Sequence, residues 1–251
     1  MPKITADFVI EQYRSGIENY RAATKYLGLW ASERYVFEKY LPLNEPLLDV
    51  GCGAGRTTYA LHQMGYTDLV GIDLTPEMIT AAISLAEHFE TNIDFRVGDA
   101  TRLSFEDNLF GAVVFSFNGL MSIPEQGRRD QALREIWRVL KPGGYFLFTT
   151  HDRDKDENYL EFWRQQTEEW QAGEQDERLF QFGDLITSSK NEEREIFIHI
   201  PSRAEIWNWL TANGFTVVET FYRSDRFHER EAVREASGEC RLWVAYKVEG
   251  K

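Results

Sequence analysis

Apolar and aromatic residues fall at three- and four-residue spacing through "FVIEQYRSGIENYRAATKYLGLW" and "ASERYVFEKYL" in the first forty positions, the period of a helix with one buried face. The period changes at "EPLLDVG". From there short apolar runs, "DLVGID" (68–73), "IDFRVGD" (93–99), "FGAVVFSFN" (110–118) and "GYFLFTTH" (144–151), alternate with amphipathic stretches. Strand, helix, strand repeated in this way predicts a parallel sheet covered by helices on both faces. Thr75 and Pro76 open "TPEMITAAISLAEHF" as N-cap and first-turn proline, where the missing N–H is no loss. "RRDQALREIWRVLKPGG" stops at Pro142 and Gly143, and "SRAEIWNWLTANG" sets Ser202 and Glu205 in capping-box register before closing on Gly214. "FTVVETFYR" and "RLWVAYKV" add two last strands.

Between Asp152 and Pro201 the alternation fails over a span too long for an ordinary connection. An insert is therefore predicted, with a helix in "NYLEFWRQQTEEWQ" and two strands joined by a polar turn in "RLFQFGDLITSSKNEEREIFIHI". The chain reads as one domain: a helical cap over 1–42, a core over 43–151, the insert over 152–201 and the rest of the sheet over 202–251.

Composition narrows the function. A length of 251 residues with 43% apolar content supports one large core. No run approaches the roughly 20 apolar residues of a membrane span, and "MPKITADF" lacks the basic start and apolar stretch of a signal peptide; a cytoplasmic protein with no membrane association is expected. Cys52 and Cys240 match neither a disulfide framework nor a zinc spacing, and no metal is expected. A net charge of −13 repels a phosphate backbone. Residues 151–200 hold fourteen acidic against six basic side chains, a solvated face that fits a monomer or frames a dimer contact equally.

The stretch "LLDVGCGAGRTT" (47–58) places Gly51, Gly53 and Gly55 directly behind an apolar run. In an open parallel sheet ligands bind beyond the carboxyl ends of the strands. Glycine there tolerates a tight turn and lets a ligand touch the main chain, while the helix starting near Arg56 turns its N–H groups toward an anionic group. "VGID" ends in Asp73, eighteen residues past Gly55, where a carboxylate can accept both hydroxyls of a ribose or, alternatively, cap the following helix. Asp99 and Ala100 in "VGDATRL" end the next strand, where a carboxylate and a backbone N–H can read the edge of a purine.

Together "LLDVGCGAG", "GIDLTPEMI", "FRVGDATRLSFEDNLFGAVVFSFN" and "EIWRVLKPGGYFLFTTHD" resemble the class I S-adenosylmethionine-dependent methyltransferases over roughly residues 30 to 151. The resemblance implies a Rossmann-like α/β three-layer sandwich, with a seven-stranded, mostly parallel sheet whose last strand is antiparallel. It implies S-adenosyl-L-methionine as cofactor and S-adenosyl-L-homocysteine as product. The loop with Gly51, Gly53 and Gly55 would meet the methionine part, Asp73 the ribose, and Asp99 and Ala100 the adenine; Asp49 and Leu74 would also belong to the cofactor site, and the strand end with Ser116, Phe117 and Asn118 would pass close to the cofactor near its methyl group. A dinucleotide fold favours G-x-G-x-x-G, and this glycine spacing speaks against NAD.

Methyl transfer from a sulfonium rests largely on positioning, which can contribute on the order of 7 to 11 kcal/mol. A base is required only where the acceptor must lose a proton. His151, at the strand end "FTTHD", is the candidate base. Tyr13, Tyr20 and Trp30 are candidate covers for the sulfonium, since aromatic faces attract cations; core packing is the other reading of these aromatics. The insert would roof the acceptor pocket with Tyr159, Phe162 and Trp163. "FNGLMSIP" replaces the Asn/Asp-Pro-Pro-aromatic pattern of enzymes that methylate nucleic-acid amino groups, so no nucleic-acid partner is expected. The expected function is methyl transfer to a small-molecule acceptor. A non-catalytic cofactor-binding or scaffold protein is the alternative, with a protein acceptor further behind.

Overall fold

The computed structural model describes residues 3–155, 159–188 and 195–248. The helical preface consists of α1 (Ala6–Arg14), α2 (Ile17–Ala22), a π-helical turn over Ala23–Leu27 that continues it, and α3 (Ala31–Tyr40). Then come β1 (Leu47–Val50), α4 (Arg56–Gln63), β2 (Leu69–Asp73), α5 (Pro76–Ser84), β3 (Asp94–Val97), β4 (Phe110–Phe115), α6 (Gln126–Val139) and β5 (Leu140–Thr150). The insert contributes α7 (Leu160–Ala172) and an antiparallel hairpin, β6 (Asp184–Ser188) with β7 (Glu195–His199); the expected polar turn falls at 189–194, outside the described residues. The chain ends with α8 (Arg203–Ala212), β8 (Phe215–Tyr222), α9 (Arg223–Arg226), α10 (Glu231–Ala236) and β9 (Arg241–Lys247).

The sheet order is β3-β2-β1-β4-β5-β9-β8. β1 to β5 pair in parallel, and β9 runs antiparallel to both β5 and β8, the architecture expected from the sequence. Side chains alternate between the two faces, as the period of two in a strand requires. Leu48, Val113, Phe146 and Trp243 face one core with Leu133 and Ile136 of α6 and Leu210 of α8. Leu47, Val114, Leu147 and Val244 face the other with Val36 and Phe37 of α3 and Leu61 of α4. β4, buried along its whole length, thus reads as a continuous apolar run, and β1 does so apart from Asp49.

The differences from expectation are local. Helix α6 ends at Val139, three residues before Pro142, and β5 begins at Leu140. The residue before a proline avoids the helical region, and Lys247 Nζ donates to the carbonyls of Trp137 (2.8 Å) and Leu140 (2.6 Å). A lysine from the far end of the chain therefore takes up carbonyls that the ending helix leaves. Thr75 occupies the N-cap of α5 without a side-chain cap bond; its N–H instead donates to Asp73 Oδ1 at 2.8 Å. The capping box of α8 is present as read, with Ser202 and Glu205 bonding reciprocally. α9 and α10, of four and six residues, are too short to leave a periodic signal.

Two devices hold the hairpin against the core. The Gln12 amide of α1 bonds both peptide groups of Phe197 in β7: Oε1 accepts the N–H at 2.9 Å and Nε2 donates to the carbonyl at 3.4 Å. At the other strand, fully buried Asp184 accepts a bond from His199 at 2.8 Å and lies 3.9 Å from buried Arg129 of α6. Asp184 and His199 face each other across the β6–β7 ladder, so the charge cluster ties the insert to the helical layer beneath it.

Candidate functional site

The ends of β1, β2 and β3 surround a cavity of about 850 Å³, open solvent included. Gly51, Gly53, Asp73, Leu74, Asp99, Ala100 and Phe117 line it, with Tyr13 of α1 and Tyr20 of α2 on the opposite wall. The glycines divide by task. A Cβ at Gly51 would stand 2.6 Å from the Phe115 ring, and one at Gly55 would stand 2.9 Å from Tyr59; those two serve packing. Gly53, with φ +55°, would bring a Cβ only within 3.8 Å of Tyr20. Its bare main chain faces the cavity, a cradle that a side chain would fill.

Asp73 organises this wall. Its Oδ2 accepts the Gly53 N–H at 2.9 Å and its Oδ1 the Thr75 N–H at 2.8 Å, so it anchors the glycine turn and starts α5 at once. Burial raises its carboxyl above the ordinary value against the pull of those N–H donors. Each oxygen retains a further lone pair, which suits a ligand that offers hydroxyls. Asp99 is less available: Oδ1 accepts from the Thr101 N–H and hydroxyl, both at 2.8 Å, and Oδ2 lies 3.3 Å from Arg128 Nη2. Ser116, from the strand end "SFNGLM", also lines the cavity, as do Arg128 and Ser122, which no sequence signal marked.

Four residues expected at the cofactor are not among those that face this cavity. Asp49 is 3% exposed beneath the glycine turn, where its Oδ2 accepts the Thr58 hydroxyl at 2.6 Å. Gly55 is the left-handed N-cap of α4, and Asn118 faces the neighbouring cavity. Trp30 is fully buried, 5.5 Å from Phe117 and beneath the guanidinium groups of Arg56 and Arg223; it supports the wall from behind and covers nothing. Burial pushes the Asp49 carboxyl from 3.8 up to about 7, against Thr58 and Arg56. A raised folded-state value means that the charge costs stability increasingly as pH rises from about 4 to 7. Asp49→Asn should therefore gain on the parent across that window, approaching roughly 4 kcal/mol above pH 7. Thermal melts at pH 4.5 and 8 check this, and a pH-independent difference would contradict it.

A second, inner cavity of about 650 Å³ lies under the hairpin. It shares Tyr13, Tyr20, Phe117 and Ser122 with the first, and the Tyr13 hydroxyl meets Ser122 Oγ at 2.6 Å on that shared wall. Ile196, Phe197 and Ile198 of β7 roof it, and Asn118 and His151 stand at its base. His151 Nδ1 is 2.8 Å from the Glu239 carbonyl and its Nε2 is 3.1 Å from Asn118 Nδ2. A carbonyl can only accept, so Nδ1 carries the proton and Nε2 presents a lone pair to the amide. Burial lowers the imidazole below its ordinary 6.5, which keeps it neutral at pH 7.

A third, outer cavity of about 1230 Å³ shares His151 and Gly238 with the inner one. Tyr159, Phe162 and Trp163 line this outer space. The insert's aromatics therefore lie one cavity further from the glycine turn than expected, and the hairpin is the nearer element of the insert. Among the described residues no group of three or more His, Cys, Asp or Glu side chains is placed to hold a metal ion, and no helix is long and apolar enough to cross a membrane.

Residues 47–144 match a family model described as a methyltransferase domain. The chain is 32% identical over 126 residues to phosphoethanolamine N-methyltransferase 3 of Arabidopsis thaliana, covering 50% of this chain and 25% of that protein. It is 37% identical over 114 residues to a ubiquinone/menaquinone biosynthesis C-methyltransferase of Nitrobacter hamburgensis, covering 42% and 43%. The chain thus spans less than half the length of these curated relatives. Its fold is similar to that of a SAM-dependent methyltransferase from Methanosarcina mazei, with a TM-score of 0.68 at 22% identity over 88% of this chain and 99% of that one.

Proposed function

We propose that this chain, which belongs to the class I S-adenosylmethionine-dependent methyltransferase superfamily, transfers a methyl group to a small-molecule acceptor held in the inner cavity. The observation that carries the reading is the meeting of two cavities at Tyr13, Tyr20, Phe117 and Ser122, with a neutral imidazole in the second. When bound, S-adenosylmethionine supplies an electrophilic methyl carbon on a sulfonium that departs as a neutral thioether. Gly53 and Asp73 would hold its backbone-facing and hydroxyl-bearing parts, and the rings of Tyr13 and Tyr20 would attract the cationic sulfur. The two relatives are named for methylation at nitrogen and at carbon, so the acceptor atom is not inherited from either.

The protein's own part is orientation and proton handling. The hairpin β6–β7 and α1 supply walls of the inner cavity, with Gln12, Tyr13 and Ile196 to Ile198 among its lining. His151 Nε2, whose lone pair accepts from Asn118 Nδ2 in this structure, takes the acceptor's proton once the acceptor displaces that amide, and the positive charge is then stabilised by the Glu239 carbonyl on Nδ1. Calorimetric titration with S-adenosylmethionine and S-adenosylhomocysteine tests cofactor binding, and release of S-adenosylhomocysteine in an acceptor screen tests turnover. His151→Gln should keep cofactor affinity and lower kcat by about 10²- to 10⁴-fold. The parent's rate should hold constant from pH 8 to below 6.5 and fall only under the lowered imidazole value, and the variant should lose that acid limb. An unchanged rate in the variant would remove His151 from the mechanism. Cofactor binding with no product from any acceptor would favour the non-catalytic alternative.

A further inference from the structure

We infer that the acceptor is an uncharged molecule in two parts, a compact head bearing an O–H or N–H group and an apolar, largely aromatic body. This rests on the reading of the inner cavity as the acceptor site. The described residues that line the inner cavity include no Asp, Glu, Lys or Arg. A phosphate or carboxylate placed there would be desolvated with no counter-charge, which proteins avoid. Polar contact is nevertheless available. Asn118 is 5% exposed, lines the cavity and has a buried Oδ1 with no hydrogen-bond partner. With Nδ2 of the same amide already turned to His151 Nε2 at 3.1 Å, Oδ1 is the acceptor that asks for a donor, and a head with one O–H or N–H supplies it.

The body is read from the outer cavity, entered past His151 and Gly238. Its walls include Tyr159, Phe162, Trp163 and Tyr222, and Tyr159 and Phe162 are 57% and 38% exposed. Four formal charges also line it, and each is already matched. Asp152 accepts from Arg241 at 3.1 Å and from the Tyr222 hydroxyl at 2.8 Å. Arg153 pairs with Glu205, Lys155 with Asp225 at 3.1 Å, and Glu239 lies 4.0 Å from Arg223. Among the described residues that line it no cation is left over for an anionic group, while aromatic faces are, which selects a flat apolar body.

Binding to the S-adenosylhomocysteine complex tests this without requiring turnover. The complex is first formed and its affinity measured by calorimetry, so a failure of cofactor binding appears at that step, and release of S-adenosylhomocysteine in the acceptor screen reads turnover separately. Phenol (head alone), 4-phenylphenol (head and body), phosphoethanolamine (anionic head) and a lysine-containing peptide are then titrated. We expect 4-phenylphenol to bind at least tenfold more tightly than phenol. Trp163→Ala and Phe162→Ala, both on the partly exposed α7, should erase that difference and leave phenol unchanged. Phosphoethanolamine and the peptide should not bind. Equal affinity for the two phenols, or tighter binding of phosphoethanolamine or the peptide, would overturn the inference.

Discussion

Replacing Glu33 by alanine should lower the stability of the fold by about 3 to 5 kcal/mol, the cost of leaving a buried charge without its partner. Glu33 is 1% exposed and grips Arg56 with both oxygens at 2.7 Å, while Oε2 also accepts the Trp30 N–H at 3.0 Å. Arg56 is 8% exposed and is otherwise held by the Gly28 carbonyl at 2.8 Å and the faces of Trp30 and Phe117. Without the carboxylate a guanidinium would remain in the core at the first position of α4, directly behind the glycine turn. For a chain of this size the loss corresponds to a fall in Tm on the order of 10 °C. Chemical denaturation of the parent, Glu33→Ala and the double variant Glu33→Ala/Arg56→Met measures it. The double variant should recover most of the stability, because an uncharged side chain of similar length needs no partner. A single-variant loss below 1 kcal/mol would show that water reaches Arg56 and that the pair is not what fixes the helical cap to the turn.

That pair also marks where the sequence stops being informative. The central strands were legible because burial on both faces writes them as runs that are almost wholly apolar, and α8 was legible because a capping box is a local, four-residue pattern. The ends of β1, β2 and β3 followed from topology once the strands were placed. Side-chain pairing across the fold has no such local trace. Glu33 and Arg56 are 23 residues apart, Tyr13 and Ser122 are 109 apart, and Lys247 closes α6 from the other end of the chain. Trp30 takes the core-packing reading and not that of a cover, for a related reason. Helical spacing identifies an apolar face but not what that face meets, and Trp30 turns inward to Arg56 and Arg223 while Tyr13 and Tyr20 face the cavity. His151 and Asn118 lie between these cases. They follow the carboxyl ends of adjacent parallel strands, β5 and β4, so the sheet order brings them together, but the hydrogen bond between them needed coordinates.

Asp73→Ala should weaken S-adenosylhomocysteine binding by at least tenfold, about 1.4 kcal/mol, and each charged hydrogen bond lost to a ligand hydroxyl can add roughly 1.5 to 3 kcal/mol. The same substitution also orphans the N–H groups of Gly53 and Thr75, so a loss of affinity by itself would not distinguish a ligand contact from a collapsed turn. Asp73→Asn separates them. Its single carbonyl oxygen keeps an acceptor for one of the two N–H groups, which returns part of the stability, whereas its NH₂ group cannot accept a ligand hydroxyl. If Asp73 holds the ligand, affinity should be lost in both variants while stability is lost mainly in alanine. If Asp73 only anchors the turn, affinity should track stability and the asparagine variant should bind almost normally. Proton linkage gives an independent check. Only the carboxylate accepts two hydroxyls, and burial raises the carboxyl above 3.8, so the parent's affinity should decline as pH falls toward that raised value. Asp73→Asn, with nothing to protonate, should lose that pH dependence. Calorimetry of the three proteins between pH 8 and 5, with denaturation curves on the same samples, reads both quantities. A folded alanine variant that binds within twofold of the parent would remove Asp73 from the cofactor site and leave it as the structural anchor of the glycine turn.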